Sequence, residues 1–142
     1  MATSNAATTY LENKILSFIF KNNAASFTTP GDSIYVGLAT AVSDAEAGSL
    51  TEATFGSYQR KQVTAANWNL VSASTDQQVV TNVGNIEFPA STGTTNTVTH
   101  AFLADAASSG NILFVGALDA SKTIATGDIF RINAGNLSIE LK

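Results

Sequence analysis

The stretch Thr95–Leu118, TNTVTHAFLADAASSGNILFVGAL, decides how this chain is read. It predicts two strands, Val98–Ala104 and Asn111–Leu118, joined by a turn at Ala107-Ser108-Ser109-Gly110. The second strand, Ile-Leu-Phe-Val-Gly-Ala-Leu, is apolar at consecutive positions rather than at alternate ones. A half-exposed antiparallel strand alternates, so this pattern predicts a strand covered on both faces, in the middle of a layered β structure.

Outward from this hairpin the pattern stays β. Ile34–Ala39, Ser57–Thr64, Trp68–Ser72, Gln78–Val83, Asn85–Phe88, Ile129–Ile132 and Leu137–Leu141 read as further strands. Leu137, Ile139 and Leu141 alternate with Ser138 and Glu140, so the last strand has one wet face. Ten glycines punctuate these runs, often eight to twelve residues apart, the rhythm of an antiparallel β-sandwich or jelly roll. Thr40–Gly56, rich in Ala, Ser and Gly with Asp44, Glu46 and Glu52, reads as a long loop.

Before the β region, which starts after Pro30-Gly31, residues 1–8 are small and polar and read as a flexible or extended arm. Thr9–Lys21 reads as a helix capped by Thr9, with Glu12 completing a capping box. Leu11, Ile15, Leu16, Phe18, Ile19 and Phe20 occupy about 200° of its wheel, whereas a helix on one core needs a stripe nearer 100°. A second surface is therefore expected over it. Leu16, Ile19, Phe20 and Tyr10 are the candidate subunit contacts. No composition break, heptad or solenoid period divides the chain. The expected organisation is one domain over 1–142: arm 1–8, helix 9–21 and β-sandwich 33–142.

Composition narrows the function. The 142 residues are 44% hydrophobic and only 13% charged, with 7 basic and 11 acidic groups, against about 25% charged in an average soluble protein. Over roughly 7,000 Å² of folded surface, 18 charges amount to about one per 400 Å². Such a surface is either covered by Ser, Thr and Asn or hidden in contacts between subunits, and charge depletion is typical of interface cores. A net charge of −4 with one adjacent basic pair, Arg60-Lys61, speaks against nucleic-acid binding. The N-terminus lacks a signal-peptide pattern, and no apolar run is long enough to span a membrane. With no cysteine, thiolate metal sites and disulfides are absent.

No catalytic constellation emerges, and no cofactor or metal is expected. His100 is the single histidine and reads as a structural strand residue. Asp44 and Glu46 read as solvated loop acids, since no EF-hand spacing accompanies them. No nucleophile elbow, Walker or dinucleotide motif occurs, and none of the eleven acids is singled out as half of a catalytic pair. Tyr58 and Trp68 are the candidates for a sugar-stacking platform, with core packing as the competing reading.

Several pieces taken together resemble a known group. They are Tyr10-Leu11 with Ile15-Leu16, Tyr35-Val36-Gly37-Leu38, and Tyr58-Gln59-Arg60 before Val63. Asn85-Ile86-Glu87-Phe88-Pro89 follows, then Ser91-Thr92-Gly93, Val98-Thr99-His100, Asp105-Ala106, Gly110-Asn111-Ile112-Leu113-Phe114 and Gly116-Ala117-Leu118. In this order and spacing the chain resembles the small tailed-bacteriophage structural proteins labelled tail-fibre-like, head-fibre or capsid decoration (cement) proteins. It departs from their pattern at Thr94-Thr95-Asn96, where an aromatic is expected, and at Val115, where a second aromatic often follows Phe114. The resemblance implies a virion subunit with a β-sandwich or jelly-roll fold, a homotrimer, and no enzyme. Because no rod-forming segment is visible, the expectation is a decoration protein on the capsid surface, with the major capsid protein of the same phage as partner. The alternative is a tail-tip or fibre-associated domain that binds host glycans.

Overall fold

The computed structural model describes residues 6–21, 34–74 and 77–140. Residues 1–5 of the arm, the Pro30-Gly31 boundary and Leu141 lie outside the described residues. The elements are β1 (Ala6–Ala7), α1 (Thr9–Lys21), β2 (Ile34–Asp44), β3 (Ser49–Glu52) and β4 (Lys61–Val63). A 3-10 turn at Ala65–Asn67 leads into β5 (Trp68–Ser74), β6 (Gln77–Asn82) and β7 (Ile86–Glu87). The chain ends with β8 (Asn96–Ala104), β9 (Ile112–Ile124), β10 (Arg131–Ile132) and β11 (Ser138–Glu140). All pairings are antiparallel. One sheet runs β1-β9-β8-β2-β3, with β4 also on β2. A second runs β11-β6-β5, and β10-β7 forms a short ribbon. The result is a β-sandwich-like domain with an N-terminal helix.

The decisive hairpin forms, but its two strands exchange the expected roles. β8 lies inside the sheet, with Phe102 opposite Gly37 of β2 on one side and Val115 of β9 on the other. Its residues Ala101–Ala104 are buried. β9 is next to the edge, covered only by two residues of β1. Its consecutive apolar run has a local cause. Leu103 pairs with Phe114 and Ala104 with Ile112, so Leu113 is the extra residue of a bulge. The bulge resets the alternation: Leu113 and Phe114 both join the larger core, while Ile112 and Val115 join the smaller one. A second, wider break follows, where His100 pairs with Ala117 and Val98 with Lys122. β9 thereby continues to Ile124, beyond the expected end at Leu118.

Thr40–Gly56 is not a loop. β2 runs on to Asp44 and turns back through Ala45–Gly48 into β3. Gly48 takes a positive φ of 67° in the turn, and the Asp44 Oδ1 accepts the Ala47 N–H at 3.2 Å. The small residues that resembled a loop are small because of packing. Ala39 and Ala45 are fully buried in the smaller core with Phe102, Ala104 and Val115. Gly37 belongs to the same arrangement: a Cβ there would lie 2.7 Å from two ring carbons of Phe102. The expected Ser57–Thr64 strand contracts to β4, because Ser57 has φ 68° and breaks the extended chain.

The larger core joins the first sheet (Val36, Leu38, Leu103, Leu113), the ribbon (Ile86) and the connections (Phe55, Phe88), with the partly buried Trp68 and Ile139 of the second sheet packed against it. A chain of rings runs through it, with centroids 5.2 Å apart for Phe55–Tyr58, 6.1 Å for Tyr58–Phe88 and 5.9 Å for Phe88–Phe130. α1 spans the expected residues, but its cap is one position earlier. The Thr8 Oγ1 accepts the Leu11 N–H at 3.3 Å and donates to the Ile112 carbonyl at 2.7 Å. Thr8 is buried, so one hydroxyl both caps the helix and ties it to β9. With Thr8 as the cap, Glu12 is one residue too far along to close a capping box. Among the described residues no helix is long and apolar enough to cross a membrane.

Candidate assembly surface

α1 meets the body of the domain along a narrow line. Leu11 is its only buried residue, and Ile15 packs beside it on the larger core. The rest of the apolar arc is open: Leu16 is 56% exposed, Ile19 60% and Phe20 76%. Spaced i, i+3 and i+4, these three share one helix face. Tyr10, on another side, is 39% exposed and has the Lys14 Nζ 5.4 Å from its ring centroid. The over-wide apolar arc is thus half used within the chain. Isolated exposed apolar residues are ordinary, whereas three contiguous large ones mark a contact surface.

Beside this face lies an open groove of about 1730 Å³. Its walls come from β9 and from the segment Asp128–Glu140, with Ile15 and Leu16 of α1 contributing. Phe114, Leu118, Ile129 and Ile139 give it apolar stretches. Among the described residues β9 carries only Ala6 and Ala7 of β1 on its outer side, and β11 is an edge strand of the smaller sheet.

A buried polar network lies elsewhere. The Arg60 guanidinium donates to both oxygens of Glu52, at 2.8 and 2.9 Å, and through Nη1 to the carbonyls of Ala106 and Ser109, each at 2.8 Å. Its carbon lies 5.1 Å from the Phe102 ring centroid, and its side chain is only 5% exposed. The Tyr58 hydroxyl donates to Glu52 Oε1 at 2.8 Å and accepts the Leu38 N–H at 3.0 Å. Burial and its bond to the carboxylate push the Tyr58 phenol upward. Burial also acts upward on Glu52, but the hydrogen bonds from Arg60 and Tyr58 outweigh it and hold the carboxyl below its usual range. The bond to Glu52 raises Arg60 further. Every strong donor here has an acceptor, as a structural clamp requires.

Tyr58 is therefore placed inside the core, its ring between Phe55 and Phe88 and its hydroxyl engaged twice. Trp68 begins β5 at the rim of the same core, its Nε1 donating to the Val63 carbonyl at 3.3 Å. His100 sits in β8 opposite Ala39 and Ala117. Its Nδ1 is 2.8 Å from the Thr99 hydroxyl, its Nε2 is buried without a protein partner, and burial lowers its pKa. Asp44 holds the β2–β3 turn, and the Glu46 carbonyl accepts the Thr9 N–H at 2.8 Å. Among the described residues no three His, Asp or Glu side chains gather as metal ligands. Arg60, Glu52 and Thr8 carry structural duties that their sequence context does not reveal, since their partners lie far along the chain or in the backbone.

Residues 6–140 match the family model described as Podophage GP4 fiber I protein gp80. The chain belongs to this family. It is accordingly a structural protein of a tailed-phage virion, of the fibre and head-fibre kind. No curated protein gives a significant match to this fibre-family chain. The match extends from β1 to β11, so the helix face, the groove and the Arg60 clamp all fall within the family's span.

Proposed function

We propose that this fibre-family protein is a capsid decoration (cement) subunit, which binds the outside of the assembled head and stabilises it. Its partners are the major capsid protein of the same phage and further copies of itself, a trimer being the expected assembly. The observation that carries the reading is the form of the domain. Among the described residues no element repeats along an axis to make a rod, and the sheets close on one body with an apolar helix face left for a protein contact. A compact subunit reaches nothing distant but suits repeated placement on a shell, where many copies supply avidity. Binding to the assembled shell and not to its separated subunits stabilises the shell by mass action.

No enzymatic step is assigned, because among the described residues no side chains converge as nucleophile, base and oxyanion donors. The fibre in the family's description favours a second reading, a tail appendage that meets the host. Tyr58 gives that reading little support, since its ring and hydroxyl are committed to the core. Symmetry-averaged electron cryomicroscopy of the parent virion separates the two. Repeated density of this fold on the head supports decoration, and density confined to the tail refutes it.

A further inference from the structure

We propose that the groove between β9 and Asp128–Glu140 receives the exposed C-terminal turns of α1 from a second copy of the chain. The contact is head-to-tail: helix end on one subunit, groove on the next. Two dissimilar patches of one chain generate a closed ring when the rotation permits.

Three features favour this occupant. The first is size. A groove of about 1730 Å³ exceeds the roughly 300–1,000 Å³ of small-molecule sites. The six residues Leu16–Lys21 make a cylinder about 9 Å long and 10–12 Å wide, under about 1,000 Å³, which leaves room for flanking side chains. The second is polarity. Ile19 and Phe20 present exposed apolar side chains, while Leu16 stays in the wall of its own groove, and Phe114, Leu118, Ile129 and Ile139 offer apolar surface to receive them. The third is charge. The groove is lined by Glu12, Glu46, Asp119, Asp128 and Glu140 against Lys122 and Arg131, five acids to two bases and so a formal −3. The inserted turns Leu16–Lys21 carry Lys21 and no acid, a formal +1. Opposite signs favour this pairing over two helices meeting face to face, where the lysines would repel.

Thr8 and Leu11 fix the N-terminal end of α1 to its own subunit. The helix already forms part of its own groove's wall through Ile15 and Leu16, so its own C-terminal turns cannot be the filler of that groove.

The absence of cysteine makes the test clean. Phe20→Cys and Ile129→Cys are prepared separately, at residues 76% and 51% exposed that the fold does not need buried. The two purified full-length variants are mixed and treated with a short bis-maleimide. The expected result is a mixed cross-linked dimer, with neither variant cross-linking alone. In parallel, light scattering of the unmodified protein shows an oligomer. Phe20→Asp weakens that association by about 30-fold or more, as loss of a buried aromatic anchor does, with its melting temperature unchanged.

Cross-linking of Phe20→Cys alone shows helix against helix and overturns the proposal. So does an intact oligomer without any cross-link, which places the interface elsewhere. A monomeric wild-type protein overturns it too, leaving the groove to the chain's own 22–33 segment or another virion protein. The contact does not depend on where the subunit sits, so absence from the head refutes decoration and leaves this contact standing.

Discussion

Replacing Arg60 by alanine removes a residue that three parts of the chain share. Its guanidinium joins β3 through Glu52, the β8–β9 connection through two carbonyls, and β8 through the Phe102 ring. Breaking a fully buried ion pair costs about 3–5 kcal/mol because the remaining charge is stranded. Glu52 is 31% exposed, so water reaches the stranded carboxylate, and about 2 kcal/mol is the fitting share. The two carbonyls lose a charged donor, about 0.5–1 kcal/mol each where water replaces it only in part. Lost stacking and stem packing over Phe102 add about 1 kcal/mol. Arg60→Ala is therefore expected to destabilise by about 4 kcal/mol. With a urea m-value near 2 kcal/mol/M, the unfolding midpoint falls by about 2 M at unchanged m. A double-mutant cycle with Glu52→Ala should return a coupling of about 2 kcal/mol. Arg60→Lys should recover only part of the loss, since an ammonium cannot serve both carboxylate oxygens and two carbonyls in one plane. A loss below about 1 kcal/mol for Arg60→Ala, or a coupling near zero, refutes the reading of this network as a clamp.

Other consequences follow from single contacts. Asn82 is buried, donates to the carbonyls of Gly84 and Asn133 at 2.7 and 3.0 Å, and accepts the Leu137 N–H at 2.9 Å. Asn82→Ala should cost about 2–4 kcal/mol and speed amide exchange at Leu137 ahead of β8; uniform protection across both would contradict its role in holding the C-terminal segment. Gly37→Ala forces its methyl into the Phe102 ring and should cost about 1–3 kcal/mol, while Gly37→Ala with Phe102→Leu should recover part of that loss in thermal melts. The depressed Glu52 carboxyl gives a pH signature. Its contribution is complete above the ordinary value of 4.5 and is lost as pH falls through the lower folded value. The stability gap between wild type and Arg60→Ala, followed by urea melts, should narrow below that pH; a gap that widens on acidification has the opposite sign and excludes this linkage.

The helix and the hairpin were legible because their signals are local. An apolar arc with a hydroxyl before it marks Thr9–Lys21, and a Ser-Gly turn between two apolar runs marks β8 and β9. The cap was misplaced by one residue because Thr8 and Thr9 are chemically alike, and only the Ile112 carbonyl selects Thr8. The consecutive apolar run in β9 was correctly taken as two-sided burial, yet the cause is a bulge at Leu113, which periodicity cannot distinguish from a central strand. The β2–β3 hairpin is hidden in the sequence because Thr40–Gly48 is mostly Ala, Ser and Gly, which lack strand propensity; Ala45 is small because it packs in the core that holds the Phe102 ring. Tyr58 looked available because its partners, Leu38, Glu52 and Phe88, are spread over fifty residues. The exposure of Leu16, Ile19 and Phe20 was legible because the apolar arc exceeded what one core needs, whereas the groove is lined by segments far apart in the chain.

The division of labour between folding and assembly follows from where the apolar side chains are placed. The largest fully buried side chains, including Phe55, Phe88 and Phe102, lie in the β layers and their connections. α1 contributes one buried residue, Leu11, and the partly buried Ile15 to the core, while Leu16, Ile19 and Phe20 stay largely exposed. The helix is tied down by the Thr8 hydroxyl, the Glu46 carbonyl, Leu11 and Ile15, all in its N-terminal half. Sheet stability and the exposed helix end are therefore separable: changes at Arg60 or Asn82 should act on folding, whereas changes at Leu16, Ile19 or Phe20 should leave it little altered. Low charge serves the same end. A surface that must lie against neighbours loses less by desolvation when covered with Ser, Thr and Asn than with Lys and Glu. Low in charge and apolar at one helix end, the chain has the surface that the proposed helix-in-groove contact needs.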